Sequence, residues 1–255
     1  MSDYLLQQLP TLASYLADEN WQDIDDPLEH EPNWHQWGVL EHTRRVWMAM
    51  RSEAPIFCLA WGVPFIQELK SELVQDKSRW ELLLIACVVH DLGKWAGRIA
   101  DGSGAYSFKG HEAISERLIR DDPLVRQCLF EVQLLPAHLD YVASVVGLHY
   151  ELGKLRRLAY QQRNFDLAFL ESDLFRNECE AIIQHHRAYA REIGLIFLTD
   201  SLAKVEFRPG LESLAEIEAK IQAQGLSPNL VRAAQQLLIN IAMCREYMLW
   251  LSTHR

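Results

Sequence analysis

Apolar residues recur at intervals of three and four along most of the chain, the spacing that gathers them on one face of an α-helix. The pattern covers Val39 to Arg51, His111 to Arg120, Leu124 to Leu134, Leu139 to Leu152 and Asp173 to Phe207. Between the first two lies Trp80 to His90, almost wholly apolar and followed by Gly93. It reads as a buried central helix stopped at that glycine, although its two valines would also suit a strand. Leu211 to Gln224 and Asn229 to Leu251 are again amphipathic, with Gly225, Ser227 and Pro228 marking the turn between them. No stretch sustains the alternation of a half-buried strand, so the predicted class is all-α. Loops are expected at Asp23 to Asn33, at the glycine-rich Ala96 to Lys109 and around Lys154 to Asn164. None is long or biased enough to be a linker, and no repeat of fixed period interrupts the picture. One domain over residues 1–255 is the economical expectation, with helices in 209–255 packing on what precedes them.

Composition narrows the function classes. With 49% hydrophobic and 24% charged residues among 255, the chain can bury a sizeable core. Its formal charge of −10 repels an extended nucleic acid unless the cations are gathered in one place. The longest charge-free apolar stretch, between Glu53 and Glu68, is broken by Gly62 and Pro64 and falls short of the roughly 20 residues a membrane span needs. The first residues carry neither the basic nor the uninterrupted apolar region of a secretory signal. The expectation is a cytoplasmic protein without a membrane partner. Cys58, Cys87, Cys128, Cys179 and Cys244 are scattered and odd in number, as suits reduced core cysteines.

The chemistry is anchored by His90 and Asp91, at the end of the most apolar helix. Adjacent helical side chains diverge by about 100°, so the two can offer separate ligands to an ion at the helix end. A carboxylate after such an apolar run is costly to bury without a counter-charge, and a cation supplies one. Taken alone, the dipeptide reads equally well as a hydrogen-bonded pair satisfying a helix terminus.

Its neighbours add to the case. The run from His35 through Gly38, Glu41, His42, Thr43 and Arg45 to Val46 is followed by VVHDLGK (Val88 to Lys94) and FKGHEAIS (Phe108 to Ser115). VVGLHYE (Val145 to Glu151) and LTDSLAKV (Leu198 to Val205) come next. As an ordered set over about residues 35–208 this resembles the HD-domain superfamily of metal-dependent phosphohydrolases, especially the HD domains that accompany tRNA nucleotidyltransferases. The resemblance implies an all-α HD bundle in which His42, His90, Asp91 and Asp200 bind a first divalent ion. It further implies that His111 and His149 bind a second, with Asp91 bridging the two. The hydrophobic segment Pro55 to Phe65 departs from the family's spacing and is expected to add a helix. No nucleotidyltransferase motif precedes the HD segment, so the addition of nucleotides to tRNA is not implied.

Nitrogen and oxygen donors without thiolates suit Mn, Fe, Co, Ni, Zn or Mg, and two such ions can share a hydroxide and polarise a phosphoryl oxygen. The expected activity is hydrolysis of a phosphate mono- or diester of a small metabolite or nucleotide. Asp91 and Lys94 are the expected catalytic residues, and Lys94 is also a substrate contact, unless it merely caps its helix. Lys204, four residues after Asp200, is either its salt-bridge partner or a second phosphate contact. Arg45 is either a phosphate contact or a solvated arginine. Arg157 belongs to a basic cluster with Lys154, Arg156 and Arg163 that gathers a nucleotide phosphate or simply faces solvent. His35 and Glu112 flank the ligands as candidate supports, His185 and His186 are expected at the surface, and His30, His138 and His254 have no distinguishing context. Trp34, Trp37, Trp47 and Trp95 are expected in the core. The alternative chemistry is that of a di-iron oxygenase resembling myo-inositol oxygenase, which needs the same ligands.

Overall fold

The apolar stretches become helices, and several begin on a residue that can cap them. The computed structural model describes residues 1–17, 21, 24–100, 106–161 and 167–254, without the side chains of 157–161 and 167–168. Helices α1 (Ser2–Leu16), α2 (Val39–Ser52), α3 (Ala54–Trp61) and α4 (Phe65–Ser71) come first. A short antiparallel ribbon, β1 (Leu73–Val74) with β2 (Lys77–Ser78), then leads into α5 (Arg79–Val89) and α6 (Leu92–Ala96). A second ribbon, β3 (Ile99–Ala100) with β4 (Tyr106–Ser107), precedes α7 (His111–Asp121), α8 (Pro123–Glu131), α9 (Pro136–Gly147) and α10 (Glu151–Gln161). The chain ends with α11 (Asp173–His185), α12 (Ala190–Ala203), α13 (Leu214–Ala223) and α14 (Leu230–Thr253). The fold is all-α.

Ser78 and Glu81 show how the central helix starts. The Ser78 hydroxyl accepts from the Glu81 amide at 3.2 Å while the Glu81 carboxylate accepts from the Ser78 amide at 2.9 Å, satisfying two donors at the N-terminus of α5. Helix α2 begins after Gly38, which has no side chain to cap it, and Asp25 accepts from the Glu41 amide at 3.0 Å instead. A Cβ on Gly38 would lie 2.0 Å from the Asp25 carbonyl oxygen, so only glycine lets the preceding segment close over the helix.

Helix α5 lies between α2 and α9; α12 packs against α2 and α14, and α7 against α6 and α9. Leu82, Leu83, Ile85, Ala86, Cys87 and Val89 of α5 have no exposed surface. Each large aliphatic buried this way contributes roughly 1.5–3 kcal/mol, which outweighs the few tenths by which valine disfavours a helix. One core runs from Leu5 to Leu251 and takes in Ile217 and Ile221 of α13 with Leu237, Cys244, Tyr247 and Met248 of α14. All five cysteines are buried and free. No helix among the described residues is long and apolar enough to cross a membrane.

Several boundaries differ from the periodicity. The segment Pro55 to Phe65 supplies α3, as expected. By contrast α1 went unpredicted: Leu5, Leu9 and Leu12 are buried along one face, with Pro10 inside the helix. Gly93 is no stop, since α6 runs through it and the break falls at His90 and Asp91. The stretch Leu139 to Leu152 divides into α9 and α10, interrupted at residues 148–150. The loop expected around Lys154 is helical to Gln161. Asp173 to Phe207 is interrupted at residues 186–189, between α11 and α12.

Candidate metal centre

Helix ends and breaks carry most of the site. His90 and Asp91 occupy the junction of α5 and α6, where Asp91 has left helical geometry (φ −103°, ψ 11°). His111 opens α7 after Gly110, whose φ of 80° favours glycine. His149 sits in the break between α9 and α10, while His42 and Asp200 project from the interiors of α2 and α12. Residues far apart in sequence meet here because the core brings these helices together.

The Asp91 carboxylate divides two groups of imidazoles. Its Oδ2 lies 3.2 Å from His90 Nε2 and 3.5 Å from His42 Nε2. Its Oδ1 lies 3.1 Å from His111 Nε2 and 4.0 Å from His149 Nε2. His42 Nε2 is also 3.1 Å from Asp200 Oδ1, and the Nε2 atoms of His111 and His149 are 3.1 Å apart. Two clusters, His42 with His90 and Asp91, and Asp91 with His111 and His149, could each hold a metal ion.

The remote ring nitrogens give these imidazoles one orientation. Nδ1 donates to a backbone carbonyl in His90 (Cys87, 2.8 Å), His111 (Phe108, 2.8 Å) and His149 (Val146, 2.7 Å), and in His42 faces that of Ala203 at 3.4 Å. This assignment leaves Nε2 of each ring pointing inward, the arrangement of a metal ligand with its ring held from behind. Burial, with His111 and His90 nearby, pushes the His149 pKa down to about 3, and burial lowers that of His42 against the pull of Asp200. Burial opposes ionisation of Asp91, but His90 and Lys94 overcome it and hold the carboxyl well below the usual range. Neutral rings at His42 and His149 beside an ionised Asp91 are the protonation state metal binding requires.

The cluster is suited to cations on structural grounds. His90 Nε2 is buried without a hydrogen-bond partner, and so are both Asp91 oxygens, Lys94 approaching Oδ2 off the axis of a hydrogen bond. Buried polar atoms left so cost about 1–3 kcal/mol each, and a lone pair facing another lone pair adds repulsion. Donors held about 2.1 Å from one ion in tetrahedral or octahedral array lie roughly 3.0–3.4 Å apart, close to most of the separations found here.

A cavity of about 340 Å³ opens over the cluster and is lined by Lys94, His111, His149, Asp200 and Lys204 among others. Lys94 does not cap α6. Its buried ammonium lies 2.8 Å from Asp91 Oδ2 and donates to His30 Nε2 at 2.9 Å, because His30 Nδ1 already donates to the Trp37 carbonyl. Burial would lower the Lys94 pKa, yet Asp91 and Asp200 raise it. Lys204 makes the expected salt bridge, Nζ 3.0 Å from Asp200 Oδ2, and still reaches the cavity. Arg45 does not line it. Its guanidinium stacks 3.5 Å above Trp37 and its Nε donates to Glu41, so the phosphate contact expected there gives way to local pairing. The side chain of Arg157 lies outside the described residues, as does Arg163.

His30 is the residue the sequence did not single out. It is fully buried and stacks on His35 with 3.9 Å between ring centroids, and neither nitrogen of His35 has a hydrogen-bond partner. Three histidines within the segment His30 to His42 were the only available signal. Trp95 is buried as expected, but Trp34 is 40% exposed and stands at the cavity rim. His138 binds the Val74 carbonyl and holds the first ribbon.

Gly93 positions the second histidine pair. Its amide donates to Ser115 Oγ at 2.8 Å, and a Cβ would lie 2.2 Å from the His111 carbonyl oxygen. Gly93→Ala must therefore push α7 away. In protein loaded with metal, the variant is expected to hold less at the cluster of His111 and His149 and an unchanged amount at that of His42, as read by metal content; a wild-type complement would contradict this.

Neither the comparison with protein-family models nor the search of curated proteins finds a match for this chain.

Proposed function

We propose that the chain is an HD-type metal-dependent phosphohydrolase acting on a phosphate mono- or diester of a small metabolite or nucleotide. The carrying observation is one buried carboxylate, Asp91, with its two oxygens turned to two separate imidazole groups beneath a cavity that Lys94 and Lys204 also line. In this reading His42, His90, Asp91 and Asp200 hold one ion, and Asp91, His111 and His149 hold the other. Two divalent cations so bound supply Lewis-acid charge and bring the pKa of a water toward neutrality.

The chain's own residues do the rest. The backbone carbonyls behind His90, His111 and His149 keep the rings from turning, so the ligand geometry is present before substrate arrives. Asp200 is fixed between His42 and Lys204, which leaves its carboxylate ionised and oriented. The Lys94 ammonium, 2.8 Å from Asp91 Oδ2 and bonded to His30 Nε2, also lines the cavity, where it would meet an oxygen of the phosphoryl group.

The test is metal analysis followed by phosphate release. About two ions per chain are expected. Stripping them should lower the melting temperature, since an ion at a hundred times its Kd adds about 2.7 kcal/mol of stability. Reloading with Mn, Fe, Co, Ni, Zn or Mg should restore both stability and phosphate release from a panel of monoesters and diesters. Oxygen consumption by the iron form, with no phosphate released under any metal, would replace this reading with the di-iron oxygenase.

A further inference from the structure

We infer that the substrate carries a second phosphoryl group, which Lys109 and Arg156 hold on the His111 and His149 side of the cavity. The proposal rests on the phosphohydrolase reading only for the identity of the group that reacts.

Both cations line the cavity, and each is built onto the mounting of a histidine. Lys109 lies between Phe108, whose carbonyl holds His111 Nδ1, and Gly110, where the chain turns into α7. Arg156 donates to the Tyr150 hydroxyl at 3.0 Å, and Tyr150 follows His149 directly. The Tyr150 ring lies against Gly153, where a Cβ would come within 2.5 Å of it, so the glycine of α10 makes room for the ring whose hydroxyl Arg156 holds.

Their pairing separates them from the other cations nearby. Lys94 faces Asp91, Lys204 faces Asp200, and Lys154 is bonded to Glu151. Neither Lys109 nor Arg156 has a carboxylate partner among the described residues, in a chain whose formal charge is −10. Glu112, three residues beyond Lys109, turns to His111 at 3.5 Å instead, and Glu31 lies 3.9 Å from His35. Glu31 and Glu112 line the same cavity, but neither pairs with these two cations; two positive charges without an ion pair suit a group of about −2 better than a carboxylate of −1, and the guanidinium fork matches phosphoryl oxygens. The volume suits a compact bisphosphorylated molecule.

Calorimetric titration of the metal-loaded protein with methylenediphosphonate, methylphosphonate and phosphonoacetate tests this. The diphosphonate should bind at least about tenfold more tightly than the other two, as expected for charged hydrogen bonds. Arg156→Gln should reduce its preference over methylphosphonate roughly tenfold, and Lys109→Gln, more exposed and screened, about threefold. Metal content and melting temperature of each variant confirm that the centre is intact. An unchanged preference in both variants overturns the inference, and phosphonoacetate bound as tightly as the diphosphonate overturns the phosphoryl assignment. Binding of diphosphonate through these two residues by a protein that hydrolyses no ester would uphold the inference and remove the phosphohydrolase reading.

Discussion

Asp91→Ala is expected to lose both metal ions and all phosphate release, whereas His149→Ala should retain about one ion. The asymmetry follows from geometry, because Asp91 Oδ2 faces His90 and His42 while Oδ1 faces His111 and His149. Removing a shared carboxylate takes an anionic donor from both sets. The alanine at 149 takes one neutral donor from one set and leaves His42, His90 and Asp91 together. Metal stoichiometry of the two purified variants, with helix content followed by circular dichroism, is the measurement. Equal losses in the two would contradict a carboxylate shared between the ions.

Lys94→Met is expected to lower kcat by roughly a hundredfold or more, the scale seen when a preorganised donor to a developing negative charge is removed from a water-excluded site. The same variant separates a catalytic role from a purely structural one. Lys94 is buried and its ammonium faces Asp91 at 2.8 Å, so in metal-stripped protein its loss leaves a buried carboxylate without its lysine and should cost about 3 kcal/mol in urea unfolding. In metal-loaded protein the ions neutralise Asp91 and the stability loss should shrink while the kcat loss remains. A variant that turns over like the wild type would take Lys94 out of the reaction.

Both expectations start from residues legible in the sequence. His42, His90, Asp91, His111, His149 and Asp200 were readable as candidates from the order of their short motifs, and the structure brings all six within one cluster. Lys94 was legible in position but not in partners, since His30 lies in a segment with no periodic apolar pattern and meets the lysine only through the fold. Arg45 was readable either as a phosphate contact or as a solvated arginine, and the fold decides its partners. It lies three residues from His42, and a tryptophan just before α2, Trp37, together with Glu41 of the helix holds it.

The sequence by itself determined the helical class, most element centres and the buried rank of α5, while the six acid and imidazole candidates came from an order of motifs that resembles the HD-domain superfamily. The first three are local properties, set by which residues share a helix face. Tertiary structure decided where helices break, and the breaks make the site. Gly93 reads as a stop but serves as the place where the α7 backbone comes close, and the chain turns instead at His90 and Asp91. His149 reads as mid-helix but stands free between α9 and α10. Packing chose these points because a break is set by the neighbouring helices as much as by propensity. Only the assembled core could gather the other five side chains beside the Asp91 carboxylate.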